Sequence, residues 1–168
     1  MSRIGSILLD QGALLQAAPA LARACDLNPS DSVSRARYAR ALMDTGSGAK
    51  ARTEALTALS QSPTNQEAMQ ILAFTSRSEK SVAEARQILE QARSRGATAG
   101  VELALANLLF ARGDVAGAEL AVRKSLQIDP KFSTAYAALG TILLNRTNQA
   151  EAEKALRAAF EFSAPRSP

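Results

Sequence analysis

Apolar residues recur along the chain at helical spacing, in paired segments that are separated by short turns. The fourth pair shows the pattern best, with a stripe of Leu105, Leu108 and Leu109 followed by a stripe of Val115, Ala118, Val122 and Leu126. A spacing of three and four residues places each stripe on one side of a helix. Asp114 stands between the stripes and is predicted to cap the second helix by accepting hydrogen bonds from its free backbone amides. Each segment pair therefore predicts a two-helix hairpin.

The hairpins repeat with a fixed period. Pro29 and Pro63 are separated by about 34 residues, a spacing that is typical of helical repeats, and Pro130 lies just short of two further periods beyond Pro63. An independent series of alanines recurs in steps of 34, 34, 33 and 34 residues and consists of Ala17, Ala51, Ala85, Ala118 and Ala152. Two markers with one period indicate structural repeats.

Turn glycines form a third series, five residues before these alanines. Gly12, Gly46 and Gly113 hold that place in three units, whereas Lys80 and Thr147 hold it in the other two. Glycine permits the backbone angles that reverse a helix, so the series marks the turn inside each hairpin.

Single hairpins of this size need neighbours. Two helices of about a dozen residues cannot bury both their faces alone, so the hairpins are expected to stack with a continuous core. An ordinary helical bundle is the alternative, but a bundle has no need of a fixed repeat length.

The five units resemble the tetratricopeptide repeat family, whose pattern is W-x2-L-G-x2-Y, then A-x3-F, then P. The last unit fits best, through Tyr136, Leu139, Gly140, Leu143, Ala152, Leu156 and Ala159. The third is the most divergent, because Ser76 replaces a large residue and the proline is missing. The resemblance implies an all-α fold, an α-α superhelix (solenoid) of about five helical hairpins. It also implies one domain over residues 1–168, with units at about 1–31 (first helix truncated), 32–65, 66–98, 99–132 and 133–168.

In this family the first helix of each hairpin lines a concave groove that holds an extended or helical peptide. Carried over by position, the resemblance implies a peptide-binding groove of Arg37, Arg40, Gln70, Phe74, Arg77, Leu103, Asn107, Phe110, Thr141 and Asn145. The arginines could hold a carboxylate in bidentate hydrogen bonds, and the asparagines could hydrogen-bond to a peptide backbone. The phenylalanines and Met43 could contact apolar side chains of the peptide. Arg40, Phe74 and Asn107 occupy equivalent places and are expected to form one row.

Each of these residues has a simpler interpretation. Arg37 and Arg40 could only solvate a helix face, and Phe74 and Phe110 could fill gaps between hairpins. The lysine and asparagine clamp of chaperone-tail binders is not expected, because those positions of the second unit hold Ala36 and Arg40. Cys25 is expected to pack in the core rather than to react.

Composition argues against several classes of function. Histidine is absent, which removes the commonest general base and the commonest metal ligand. Aromatic residues make up only 4% of the chain, so the core must rest on Ala, Leu, Ile and Val. The net charge of +4 is spread along the chain, without the dense basic run of a nucleic-acid surface. We therefore expect no catalysis, no cofactor, no metal and no nucleic-acid partner.

Compartment is left open. No apolar run approaches the roughly 20 residues of a membrane span, and one cysteine suits the cytoplasm and the periplasm alike. The sequence predicts a soluble protein of either compartment.

Two functions remain. The first is a protein-interaction module that binds a peptide or protein segment in the groove. The second is a structural spacer or oligomerisation segment of a larger assembly, without a peptide ligand. It is suggested by Leu156, Phe160 and Phe162, which lie on a last helix that no later hairpin covers. Such uncapped ends fit a homo-oligomer or a longer repeat array.

Overall fold

The computed structural model describes residues 1–163, which form ten α-helices and no strand. The helices are α1 (Ser2–Asp10), α2 (Leu14–Leu27), α3 (Ser32–Asp44), α4 (Gly48–Gln61), α5 (Gln66–Thr75), α6 (Glu79–Arg95), α7 (Ala99–Ala111), α8 (Val115–Ile128), α9 (Ser133–Asn145) and α10 (Gln149–Ser163). The last five residues of the predicted fifth unit, 164–168, lie outside the described part of the chain.

Contacts divide the chain into two compact units, Met1–Ala85 and a second that begins at Arg86. In the first unit α1 packs on α2, α2 on α3, α3 on α4, and α4 on α5. In the second unit α7 packs on α8, α8 on α9, and α9 on α10. The boundary lies within α6, so the single domain expected from the sequence stays a prediction.

Side-chain caps fix the starts of several helices. The Asp31 carboxylate accepts from the amides of Val33 and Ser34 at α3, and the Asn65 side chain accepts from Ala68 at α5. Asp114 accepts from the Gly117 amide at 2.9 Å, which confirms the predicted cap of α8. Each cap satisfies an amide that the helix itself leaves free.

The alanine series lies at the centre of the packing. Ala17, Ala51, Ala85, Ala118 and Ala152 are all fully buried. Small side chains at these places let helix backbones approach closely. Such close packing is expected of a chain in which aromatic residues make up only 4% of the sequence.

Four of the five turns inside the hairpins have the positive φ angle that the glycine series indicates. Gly12, Gly46 and Gly113 have positive φ, and Thr147 has φ of 60°. The fifth does not, since Lys80 lies inside α6. There α5 ends early, at Thr75, and the loop to α6 consists of residues 76–78.

Two glycines mark equivalent close approaches, one in the first hairpin and one in the last. A Cβ on Gly5 would lie 2.6 Å from Leu21 Cγ, and one on Gly140 would lie 2.6 Å from Leu156 Cγ. Leu21 is fully buried, whereas Leu156 is 41% exposed. The leucine can therefore not move away from the glycine in the first hairpin, whereas it can do so in the last.

We predict that Gly5→Ala lowers the free energy of unfolding by about 1–3 kcal/mol, because the buried Leu21 side chain cannot move away. Gly140→Ala should cost less than about 1 kcal/mol, since Leu156 can swing outward and alanine favours the helix. Gly48→Ala, where a Cβ meets nothing within 4 Å, is the control. Equal losses for Gly5→Ala and Gly140→Ala in denaturant titrations would contradict the prediction.

Thr147→Gly should raise the free energy of unfolding by about 1 kcal/mol, because a β-branched residue is strained at positive φ. Thr141→Gly, a change of the same kind within the regular helix α9, should lower it. Thermal or urea unfolding measures both. A loss of stability in Thr147→Gly would show that the turn is not strained.

Candidate functional site

The first unit brings five predicted groove residues together on two neighbouring first helices and the loop that follows. Arg37 and Arg40 lie on α3, Gln70 and Phe74 on α5, and Arg77 in the loop after α5. Helices α3 and α5 contact each other directly, and α3 also contacts α1. This surface is called here the α3–α5 face.

The two predicted groove arginines of α3 already have carboxylate partners. Arg37 lies 3.7 Å from the Asp10 carboxylate of α1, and Arg40 Nε donates to Asp44 at 3.0 Å. Both pairs are at the surface, where such a pair contributes about 1 kcal/mol or less. A ligand carboxylate can therefore replace Asp10 or Asp44 at little cost.

Arg77 differs from these two. Its side chain is exposed and makes no ion pair within residues 1–163. The guanidinium retains its full donor capacity for an anionic group. Of the three predicted carboxylate-binding arginines, it is the one that a ligand finds without competition.

A cavity of about 710 Å³ lies where the turns of the second and third hairpins meet. Its lining is Met43, Gly46, Gly48, Ala49, Arg52, Phe74, Thr75, Arg77, Ser78 and Ser81. Phe74 is 45% exposed there, which is unusual for a side chain that only fills a gap between hairpins. The cavity thus combines apolar surface from Phe74 and Met43 with the positive charge of Arg77.

Arg52 forms the polar floor of this cavity. Its guanidinium donates to the Ser76 hydroxyl, to the Ser81 carbonyl at 3.1 Å and to the Glu84 carboxylate at 2.6 Å. Ser76 is buried and donates in turn to the Leu72 carbonyl. These bonds explain why serine replaces the expected large residue at this place: the hydroxyl leaves room for the guanidinium and hydrogen-bonds with it.

Glu67 is a residue of this face that the sequence reasoning missed. It lies in the first turn of α5, three residues before Gln70 and seven before Phe74, which is the spacing of one helix side. Burial raises the pKa of Glu67 above its ordinary value, while Arg37 and Arg40 act in the opposite direction. Helical spacing back from Phe74 was the signal that could have identified it.

In the second unit, one predicted groove residue is wrong. Leu103 is 1% exposed and packs in a core with Ala106, Val122 and Leu139, so it offers nothing to a ligand. The reason is the composition of α7, which is apolar on nearly all sides, and such a helix is buried.

The other residues of the second unit are partly accessible. Asn107 and Phe110 of α7 are half-buried, and Phe110 packs against the same core. Thr141 is exposed, but its hydroxyl donates to the Ala137 carbonyl of its own helix. Asn145 is exposed at the end of α9. The predicted row from Phe74 to Asn107 runs from one unit to the other and stays a prediction.

Cys25 is buried, as expected of a packing residue, and its burial raises the pKa of the thiol. Among residues 1–163, no group of three or more acidic or cysteine side chains is placed to hold a metal ion. The described helices are each too short or too polar to cross a membrane.

Comparison with known proteins rests on structure alone. No family model and no curated protein matches the sequence. TTC0263, a thermophilic TPR protein of Thermus thermophilus, is similar with a TM-score of 0.79 at 20% identity, over 96% of this chain and 89% of that one. A tetratricopeptide repeat protein of Parabacteroides merdae gives 0.68 at 19% identity, over 98% of this chain and 64% of that one.

The chain has the tetratricopeptide repeat fold. The all-α class and the helical hairpins predicted from the repeat period are thereby confirmed. The same fold is found in the Cut9–Hcn1 hetero-tetramer of the APC/C, with a TM-score of 0.73 at 15% identity, over 96% of this chain and 33% of that one.

Glu67→Gln is predicted to raise the free energy of unfolding at pH 7. A carboxyl with a raised pKa binds its proton more readily when folded, so the wild type loses stability as pH rises through the folded pKa. The advantage of the variant should shrink as pH falls toward the ordinary glutamate value of about 4.3.

Urea titrations at several pH values measure this difference. Glu161→Gln, an exposed change on α10, reports the effect of removing a surface charge alone. If Glu67→Gln is less stable than the wild type at pH 7, attraction to Arg37 and Arg40 outweighs burial and the interpretation is wrong.

Proposed function

We propose that the chain is a protein-interaction module that binds a peptide segment on the α3–α5 face, and that it is not an enzyme. The observation that carries the proposal is the cavity in which the exposed Phe74 ring and the unpaired Arg77 guanidinium lie together. An exposed aromatic beside an arginine is the composition of an interface hot spot. The tetratricopeptide repeat fold also supports a role in protein interaction.

The chemistry of the face favours one class of ligand. Phe74 and Met43 suit an apolar side chain, and Arg77 suits a carboxylate close to it in the peptide. Arg40 provides a second cation once Asp44 is displaced. We infer a peptide that carries an apolar residue next to an acidic group, in an extended or helical form.

Asn107, Phe110, Thr141 and Asn145 belong to the second unit, and for that unit by itself they stay the proposed groove residues. The polar side chains of Asn107, Thr141 and Asn145 suit a peptide backbone more than a charged group. A nucleic-acid ligand is not proposed, since Arg37 and Arg40 are paired with carboxylates and acidic Glu67 lies among them.

The test begins with selection of peptides from a displayed random library on the immobilised intact chain. The affinity of a selected peptide is then measured for the wild type, Phe74→Ala, Arg77→Glu and Arg40→Glu. We expect Phe74→Ala and Arg77→Glu each to weaken binding at least about 10-fold. Arg40→Glu should weaken it less, because part of its charge is already neutralised by Asp44.

Matched controls lie on the second helix of the first hairpin. Arg23→Glu and Leu15→Ala change an exposed cation and an exposed apolar residue of α2 and should leave the affinity unchanged. Circular dichroism verifies that each variant is folded. Unchanged affinity in folded Phe74→Ala and Arg77→Glu would remove the α3–α5 face from consideration.

The second candidate function is a spacer or oligomerisation segment of a larger assembly, without a peptide ligand. One observation favours it: Phe160 on α10 is 78% exposed, as the sequence predicts for a helix without a following hairpin. Phe162 does not share this exposure, because its ring packs against Tyr136 in a tilted arrangement with the centroids 5.5 Å apart.

A further inference from the structure

The last hairpin presents an apolar surface to solvent. Leu144 of α9 and Leu156 and Phe160 of α10 are exposed, and they line a cavity of about 610 Å³ together with Gln149, Glu153 and Arg157. This set is called here the α10 face. Large apolar side chains grouped in this way usually mark an interaction surface.

Packing within the first unit shows how the same place is covered elsewhere. Leu21 stands four repeat periods before Leu156 and makes the same close approach to a glycine of its hairpin. Leu21 is nevertheless fully buried, because Tyr38 and Ala41 of the next first helix, α3, pack against its cluster. Leu156 is exposed because no such first helix lies against it among residues 1–163, and not because its hairpin is built differently.

The second unit repeats this arrangement. Val122 of α8 stands one repeat period before Leu156 and is fully buried in a core that contains Leu139 and Ile142 of α9. Tyr38 and Ala41 in α3 occupy the same repeat positions as Leu139 and Ile142 in α9. Two internal junctions therefore use one pair of positions on a first helix to cover one position on the preceding second helix.

Helix α1 carries the matching pair of apolar side chains at the surface. Ile4 and Ile7 occupy the repeat positions of Tyr38 and Ala41, one period earlier, and they are 55% and 52% exposed. The other side of α1 is used, since Leu8 and Leu9 pack against the cluster around Leu21. Ile4 and Ile7 form what is called here the α1 face.

We propose that the α1 face of a second copy packs on the α10 face, so that the chain associates head to tail. Ile4 and Ile7 would cover Leu156 as Tyr38 and Ala41 cover Leu21. The interface continues the series of internal junctions between hairpins. It develops the second candidate function and does not depend on peptide binding at the α3–α5 face.

Polar residues at the edge of the two faces are also complementary. At the internal junction, Glu119 of α8 pairs with Arg146 at 2.6 Å, and Arg123 pairs with Glu151. On α10 the same positions are held by Glu153 and Arg157. The first hairpin carries Gln11 and Gln16, both exposed, where the partners Arg146 and Glu151 stand in the last one.

A glutamine side chain can donate to a carboxylate and accept from a guanidinium. Gln11 and Gln16 therefore suit Glu153 and Arg157 of another copy without placing like charges together. The two faces differ, so the contact is heterologous, and each copy can accept one neighbour at either end.

Sedimentation of the intact chain over a concentration series up to about 1 mM tests the proposal. The wild type should form species larger than a dimer. Ile7→Glu blocks the α1 face and Phe160→Glu blocks the α10 face, and each alone should be monomeric, with association weakened at least about 30-fold. Leu120→Glu, an exposed change on α8 away from both faces, should associate like the wild type.

Mixing the two blocked variants gives the decisive result. Ile7→Glu retains an open α10 face and Phe160→Glu retains an open α1 face, so the mixture should contain a 1:1 dimer and nothing larger. The double variant should stay monomeric with itself. Both positions are exposed in the isolated chain, so the substitutions leave its own packing intact.

Three outcomes would overturn the proposal. A monomeric wild type at the highest concentration excludes the self-contact and leaves peptide binding at the α3–α5 face untouched. Loss of association in Phe160→Glu but not in Ile7→Glu indicates a symmetric α10 contact instead. Failure of the mixture to form a dimer, when each variant alone is monomeric, shows that the two faces do not meet.

Discussion

The structure depends on one contact, in which the second helix of a hairpin buries its apolar side under the first helix of the next. Leu21 under Tyr38 and Ala41 shows it in the first unit, and Val122 beside Leu139 and Ile142 shows it in the second. Helices of 9 to 17 residues are too short to be stable alone, so most of their stability comes from this packing. The arrangement leaves side chains such as Phe74 and Arg77 outside the core and available to a ligand.

The sequence was sufficient for those features of the fold that repeat. The alanines of the series are fully buried, and the turns at Gly12, Gly46 and Gly113 have the expected backbone. A periodic marker succeeds because every unit must solve the same packing problem at the same place. The early turn of the third hairpin, at residues 76–78, had no periodic marker. It is associated with the contact of Arg52 with Ser76, which joins two different hairpins and does not recur with the repeat.

The candidate site was less predictable than the fold. The repeat register put Phe74 and Arg77 in an exposed position, but it could not show that Arg37 and Arg40 pair with Asp10 and Asp44. Such pairs depend on side-chain conformation across neighbouring helices. Leu103 was assigned to the groove by register, whereas the apolar residues on nearly all sides of α7 decide that it is buried.

Arg52 makes the junction between the second and third hairpins depend on one particular side chain of the third hairpin. Its guanidinium needs the Ser76 hydroxyl, and the equivalent places of other units hold Leu42, Leu109 and Leu143. A leucine there would bury the guanidinium without this partner, which costs more than the hydrogen bond contributes. Placing a different hairpin after the second one would therefore be penalised at this position, so one polar contact restricts which unit can follow it.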